Sequence, residues 1–484
     1  MSARPRSHSP KLIPLIVAAA VFMGALDSTI IATALPQMAR AFRRPPVDLS
    51  LGITVYILVM AAFLPVSTWV ADRLGARRVF AAAIAGFALA SMLCGLSSSL
   101  WPFVGSRALQ ALAATLMTPV GNLVMLRSTE KADLVAAVAI STTPGLVAPV
   151  IGPALGGFIV TFLDWRWIFF LNLPIAVAGV ALVLRFIPDL KGEAARPFDW
   201  PGFALNASAI SAVVYGLDRI SVAGGDWRLP AVLIGAGLAL GALAIRHSQT
   251  AAHPLLSLAP LAHKTFRTSA LTGGAAARTS FRAMGFVLPL LFQLGLGMTA
   301  FRSGVLLLGY YGGDLLLKSI ANQTLRRVGF RTALCVTLVL TAAATVSWLA
   351  FRPSTAFWVI FLVMGLSGMA RSVLMTGMVT LTFADVPREQ LGAATVVSNV
   401  LNQTSGALAI AFAAIVLNLS AAWRGAPGHI GLADCRAAVL VMALVGLVAL
   451  PSFLRLPRDA GTEVSGHRPR LNPPASSPEG AARP

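Results

Sequence analysis

Apolar runs long enough to cross a lipid bilayer recur along almost the whole chain, and that recurrence limits its fold more than any motif does. The first run, residues 12–36, reads LIPLIVAAAVFMGALDSTIIATALP. A hydrocarbon core about 30 Å thick needs about 20 apolar residues of helix. With no water to bond the backbone there, only helices and closed barrels can span it. The alternating ten-residue pattern of a barrel does not occur, so helices are the predicted spanning element. Of 484 residues, 57% are hydrophobic and 12% charged, with a mean hydropathy of +0.78. That is more apolar sequence than a soluble core needs, and the chain reads as an all-α polytopic membrane protein.

Within the first run sits a carboxylate, Asp27. An acid at membrane depth costs about 2.5–3.5 kcal/mol on insertion scales, and it is retained where it faces protein or a water-filled cavity. Arg4, Arg6 and Lys11 before the run imitate a secretory signal. The run is too long for an h-region and continues past Asp27 to Pro36, so an uncleaved first helix is expected.

Counting the runs gives fourteen predicted spans, near 12–36, 49–71, 79–98, 101–125, 134–162, 167–187, 200–220, 229–245, 268–293, 302–320, 332–350, 355–383, 389–419 and 436–455. An even count puts both termini on one side. Placing the termini and alternate loops together gathers 24 of the 38 Lys and Arg residues on that side, against 10 opposite and four within spans. The richer side is cytoplasmic by the positive-inside rule. The longest connections flank spans seven and eight, which divides the chain into a six-helix half (1–187), a linker with two extra helices (188–267) and a second six-helix half (268–457). The remaining 27 residues, 458–484, rich in Pro, Ser, Gly and Arg, are expected to be a disordered cytoplasmic tail.

The net charge of +20 lies in short loops rather than on a soluble face, so nucleic acid is not the expected partner. Cys94, Cys335 and Cys435 are far apart, and the histidines fall in loops or tails. No metal site or disulfide framework is expected.

ADRLGARRVF (71–80) follows span two, and LRRVGFRTAL (325–334) follows span ten. A repeat at corresponding positions marks a transporter built by duplication. Further strings stand out: LDSTIIATALP in span one, RALQ in span four, GPALGG in span five, DWRWIFFLNLPI entering span six and VPREQLGAA entering span thirteen. On these motifs, over residues 15–455, the chain resembles the major facilitator superfamily. Within it, the chain is similar to the fourteen-helix drug:proton antiporters (EmrB/QacA type), above all the multidrug-resistance protein D group. The resemblance implies that Asp72, Arg73, Gly75, Arg77 and Arg78 form a conformational gate. It implies that Gly145, Gly152, Pro153, Gly156 and Gly157 form an antiporter motif. Physically, Gly75 permits a tight turn and Asp72 suits the positive N-terminal end of a helix such as span thirteen. The span-five glycines permit close helix approach and Pro153 bends the helix, although small-residue packing alone would use the same residues. Thr68 replaces a usual glycine of the gate motif. In the second copy, Asn322 and Arg326 replace a glycine and an aspartate.

Arg107 lies about six residues, or about 9 Å, from the outer end of span four, and Asp27 about nine residues, or about 13 Å, from the outer end of span one. Similar depth allows an ion pair or a water bridge between them. The resemblance places the cavity between the first and fourth spans of each half, which carry Asp27, Arg107, Arg278, Arg282 and Arg371. Gln110, Gln293 and Asp314 are added as candidate cavity groups. Asp314 is open to a second reading, an i to i+4 pair with Lys318. Asp199, before Trp200 and Pro201, suits a helix cap.

No P-loop occurs, since GGDLLLKS (312–319) lacks the glycine before lysine. No His cluster, Cys pair or Ser/His arrangement suggests an enzyme. An ion gradient is left as the energy source, and the resemblance implies protons with no other cofactor. The expected function is proton-coupled export of small amphiphilic molecules by a monomer in the bacterial inner membrane. Asp27 and Arg107 would couple protons, and four buried arginines bias the cavity to neutral or anionic substrates. A dedicated exporter of one metabolite, and a non-transporting sensor or scaffold, are the alternatives.

Overall fold

The computed structural model describes residues 11–130, 133–188, 197–221, 227–252, 254–457 and 460–461. Apart from residues 460 and 461, the expected tail lies outside them, as do Arg4 and Arg6. No strand occurs among the described residues. The helices are α1 (Leu12–Phe42), α2 (Ser50–Phe63), α3 (Val66–Leu74), α4 (Ala76–Leu96), α5 (Leu100–Ser128), α6 (Leu134–Phe162), α7 (Trp167–Phe170) and α8 (Asn172–Phe186). They continue as α9 (Trp200–Ser221), α10 (Arg228–Thr250), α11 (Lys264–Phe266), α12 (Thr272–Leu290), α13 (Ala300–Val328), α14 (Phe330–Ser347), α15 (Phe357–Ala384), α16 (Leu391–Trp423), α17 (Leu432–Leu447) and α18 (Leu450–Leu454).

Eleven stretches among the described residues are long and apolar enough to cross a membrane. Three long helices are not among them. α12 carries Arg278 and Arg282, α13 carries Asp314 and Lys318, and α9 is interrupted by Asn206. The charged groups of α12 and α13 are placed in the next subsection, and Asn206 donates to the Gly202 carbonyl one turn back on its own helix, at 2.7 Å.

Local breaks follow from residue chemistry. Pro65 lacks the N–H that would continue α2, and the helix restarts as α3. Gly75 joins α3 to α4 with φ 90° and ψ 125°, and Gly329 joins α13 to α14 with φ 80° and ψ 156°. Both lie in backbone space that glycine alone enters cheaply. They also hold the same position in the two strings of the repeat read from the sequence, and each makes a similar turn.

The core shows how the two halves meet. At the end bearing Pro45, one apolar cluster draws on both halves, joining Ile31, Leu35 and Phe103 to Phe286, Leu290 and Phe292. At the opposite end, bearing Gly75, the halves keep separate cores. Phe80, Val120 and Val124 belong to the first, and Phe330, Leu334 and Phe453 to the second. The halves are thus joined at the Pro45 end and divide toward the Gly75 end.

Glycines make the joined end possible. Gly157 of α6 lies against the Ala300 carbonyl, and Gly304 of α13 against the Pro153 carbonyl, leaving no room for a Cβ at either. Beside them, Phe301 N–H donates to Thr161 Oγ1 at 3.0 Å, and Gln293 Nε2 donates to the Thr33 carbonyl at 3.0 Å.

α9 packs on both α2 and α16, one helix from each half, and α10 packs on α9. Phe203 meets Phe63 edge to face with ring centroids 5.1 Å apart. Asp199 fastens this pair. It accepts from the N–H groups of Gly202 and Leu255, both at 2.9 Å, and meets His247 Nε2 at 2.8 Å. Burial acts to raise the Asp199 carboxyl, but those hydrogen bonds outweigh it and hold the group below its ordinary value. His247, expected in a loop, lies in α10, which runs farther than the hydropathy indicated.

A side chain at position 157 would wedge the joined end apart. Gly157→Val is expected to raise maleimide labelling of a reporter Gln37→Cys several-fold, in a background lacking Cys94, Cys335 and Cys435. Unchanged labelling in a folded variant would show that the glycine contact does not hold this end shut.

Candidate functional site

A cavity of about 520 Å³ opens between the halves, within the range of small-molecule sites. Its wall includes α1, α5, α12 and α15, as expected, and also Tyr56 and Met60 of α2, Pro149 and Pro153 of α6, Tyr311 of α13 and Gln403 of α16.

The N-terminal wall is built around Asp27. On α1, Met23, Ile30, Ile31 and Ala34 bury the face that carries it. Arg107 and Gln110 lie three apart on α5 and so share a face. Arg107 Nη1 meets Asp27 Oδ2 at 2.6 Å, with side-chain exposures of 0% and 1%. Gln110 Nε2 donates to Asp27 Oδ1 at 2.9 Å and to Ser91 Oγ at 2.6 Å, while its Oε1 accepts from Arg107. Asn172 Nδ2 lies 3.4 Å from Asp27 Oδ1. The Arg107 guanidinium sits 4.1 Å from the Tyr56 ring centroid, a cation–π contact. Of the pair, Arg107 reaches the cavity wall and Asp27 lies behind it.

The C-terminal wall has a second pair. Arg371 Nη2 meets Asp314 Oδ2 at 2.7 Å, and Ser372 Oγ donates to the Asp314 carbonyl at 2.7 Å. The Arg371 guanidinium lies 5.2 Å and 5.5 Å from the Tyr310 and Tyr311 ring centroids. The helices meet nearly backbone to backbone here, Gly313 on the Gly365 carbonyl and Gly368 on the Tyr310 carbonyl. Arg282 also lines the cavity, above Gly406.

Several sequence expectations need correcting. Asp314 pairs with Arg371 on the facing helix and not with Lys318, which is exposed. Arg278 does not line the cavity. It turns toward the π-helical turn at 267–271 and donates to the Ser269 carbonyl at 2.8 Å and to that of Ala270, filling acceptors that the wider turn leaves free. Gln110 is enclosed in the Asp27 cluster, and Gln293 is used in closing the Pro45 end, so neither they nor Asp314 are in the wall.

The gate residues lie at the divided end. Asp72 pairs with Arg127 at 3.0 Å, within its own half. Arg77 donates to the Leu184 carbonyl, Arg73 lies 5.3 Å from the Trp69 ring centroid, and Arg78 is exposed. In the span-five string, Gly145, Gly152 and Gly156 face Val21, Thr29 and Ile30 of α1, while Pro153 and Gly157 face α13. One helix therefore packs closely against both halves.

Sequence reasoning missed the tyrosines. Three of the chain's four, Tyr56, Tyr310 and Tyr311, touch the two paired guanidinium groups. Their scarcity, and the equal spacing of Tyr56 and Tyr310 from Gly75 and Gly329, was the available signal. Ser91 and Asn172 had none beyond polarity within an apolar run.

Comparison with known proteins follows the same lines. Residues 17–409 match the model of the Major Facilitator Superfamily. The chain is 34% identical over 454 residues to the multidrug resistance protein MdtD of Cronobacter sakazakii, covering 92% of this chain and 94% of that protein. It is 32% identical to MdtD of Klebsiella pneumoniae over 92% and 95% of the two chains. Among solved structures, a bacterial homologue of the human lysosomal transporter Spinster, inward-facing and unoccupied, superposes with a TM-score of 0.62 at 14% identity. That match covers 93% of this chain and 97% of the other. The xylose transporter XylE from Escherichia coli, partially occluded and inward-open, gives 0.60 at 11% identity over 92% and 97%.

Removing one member of a buried pair leaves the other uncompensated, at a cost of about 3–5 kcal/mol. Arg107→Met is expected to lower the thermal unfolding temperature markedly, and adding Asp27→Asn to recover part of that loss. Purely additive shifts in detergent would show that the two groups are not energetically coupled.

Proposed function

The chain belongs to the major facilitator superfamily, and we propose that it is a proton-coupled exporter of small amphiphilic molecules working by alternating access. It is a multi-pass protein of the bacterial inner membrane. The proposed topology has fourteen spans arranged six, two and six, with both termini cytoplasmic and the Gly75 end facing the cytoplasm. The division of the cores at that end supports a cavity open to the inside.

The observation that carries the proposal is the buried carboxylate paired with the cavity-facing Arg107. Arginine stays charged in proteins, so of the two only Asp27 can change state. In the proposed cycle Asp27 takes a proton when the site faces outward. It releases the proton inside, where it re-forms the pair with Arg107. Each charge crossing 100 mV contributes about 2.3 kcal/mol. The charged wall groups among the described residues are all cationic, which supports a bias toward neutral or anionic substrates.

Asp27→Asn in reconstituted vesicles is expected to keep substrate binding and lose proton-driven transport across a panel of amphiphiles. Transport at the wild-type rate, with its proton flux intact, would remove Asp27 from the mechanism.

A further inference from the structure

Three arginines border the cavity, Arg107, whose side chain is fully buried, and the partly exposed Arg282 and Arg371, with no Asp or Glu among the described residues of the wall. Two are matched from behind the wall, Arg107 by Asp27 and Arg371 by Asp314. Arg282 forms no ion pair among the described residues. It cannot shed its charge as a buried lysine can, and an unpaired charge withdrawn from water is costly. The fold nevertheless keeps space for it, because Gly406 lies so close to the Arg282 guanidinium that a Cβ there would meet Nη1 at 2.7 Å. Around it the wall is mostly apolar, with Val21, Ile57, Met60, Met117 and Phe286.

The charges therefore leave an excess of one positive group in a chamber whose other lining side chains are apolar or uncharged. We propose that Arg282 and Arg371 form an anion subsite that selects amphiphilic monocarboxylates, and that Asp314 is its built-in competitor, holding Arg371 until a substrate carboxylate replaces it. The planar forks of two guanidinium groups suit a carboxylate. Arg371 is already positioned by Tyr310 and Tyr311 and is 15% exposed on its side chain, while Asp314 is 22% exposed. Arg371 is the reserve donor and Arg282 the permanent one. Asp27 takes no part in the subsite, since it lies behind Arg107 in the other half. The proposal rests on the transport reading only in taking this cavity as the substrate's place.

Binding can be measured without any gradient, by calorimetry on the purified protein in detergent. The probes are 1-naphthylacetate, the neutral 2-(1-naphthyl)ethanol and the cationic 2-(1-naphthyl)ethylammonium. A charge-assisted contact is expected to favour the carboxylate over the alcohol by about tenfold or more. Arg282→Gln should remove that preference while the alcohol still binds, which also reports an intact cavity. Asp314→Asn should tighten carboxylate binding about threefold or more by releasing Arg371, without affecting the alcohol. Equal binding of carboxylate and alcohol to the wild type, or a preference that survives Arg282→Gln, would overturn the subsite. Unchanged or weaker carboxylate binding in Asp314→Asn would overturn the competition. Since these are equilibrium affinities, proton coupling can fail in the Asp27→Asn vesicles while the subsite stands, and the reverse.

Discussion

An aspartate and an arginine held 2.6 Å apart, both closed off from solvent, set the terms for the N-terminal half. Removing either partner would leave an uncompensated buried charge, so the helices that carry them must hold their relative positions. Around the pair, every close approach serves that end. Gly152 and Gly156 let α6 lie against α1 beside Asp27, and the Gln110 amide ties the carboxylate to Ser91 of α4. Since Arg107 alone of the pair reaches the wall, whatever alters Asp27 is felt in the cavity through the guanidinium. The Asp27 carboxylate and the cavity are neighbours that share one side chain, Arg107.

The second half repeats the device with a shift. Arg371 occupies a place like that of Arg107, on the fourth long helix of its half and over a tyrosine that matches Tyr56 in the repeat. Its acid, however, comes from α13, the counterpart of α2, and not from α12, the counterpart of α1. That exchange leaves Arg282 of α12 without a carboxylate and gives the two walls different chemistry. One buries its acid completely, while the other leaves its acid in partial contact with solvent.

Much of this was legible in the sequence because bilayer chemistry is strict. Apolar runs, loop charges and the glycine-marked repeat gave the helical architecture. An acid in one run and an arginine at matching depth in another gave the Asp27–Arg107 contact. What could not be read was direction. Arg278 and Arg282 share a helical face by spacing, yet one bonds the π-helical turn below it and the other enters the cavity, because the turn at 267–271 frees carbonyls that hydropathy does not show. Likewise the i to i+4 spacing allowed Lys318 as a partner for Asp314, whereas the near-contact of glycine backbones between α13 and α15 brings Arg371 closer. Gln110 and Gln293 were recognisable as polar groups in the bundle. Only the packing distinguishes a cluster member or a closing contact from a ligand.

The two ends of the molecule are also made of different materials. The Pro45 end is joined by aromatic and aliphatic packing and by backbone contacts at glycines. The Gly75 end presents Asp72, Arg73, Arg77, Arg78 and Arg127. Packing between helices is indifferent to ionic strength, whereas exposed charges are screened within about 8 Å at physiological salt. Any closure of the Gly75 end through these side chains would weaken as salt rises, while closure of the Pro45 end would not. The two ends would thus answer differently to the electrolyte that bathes the charged face.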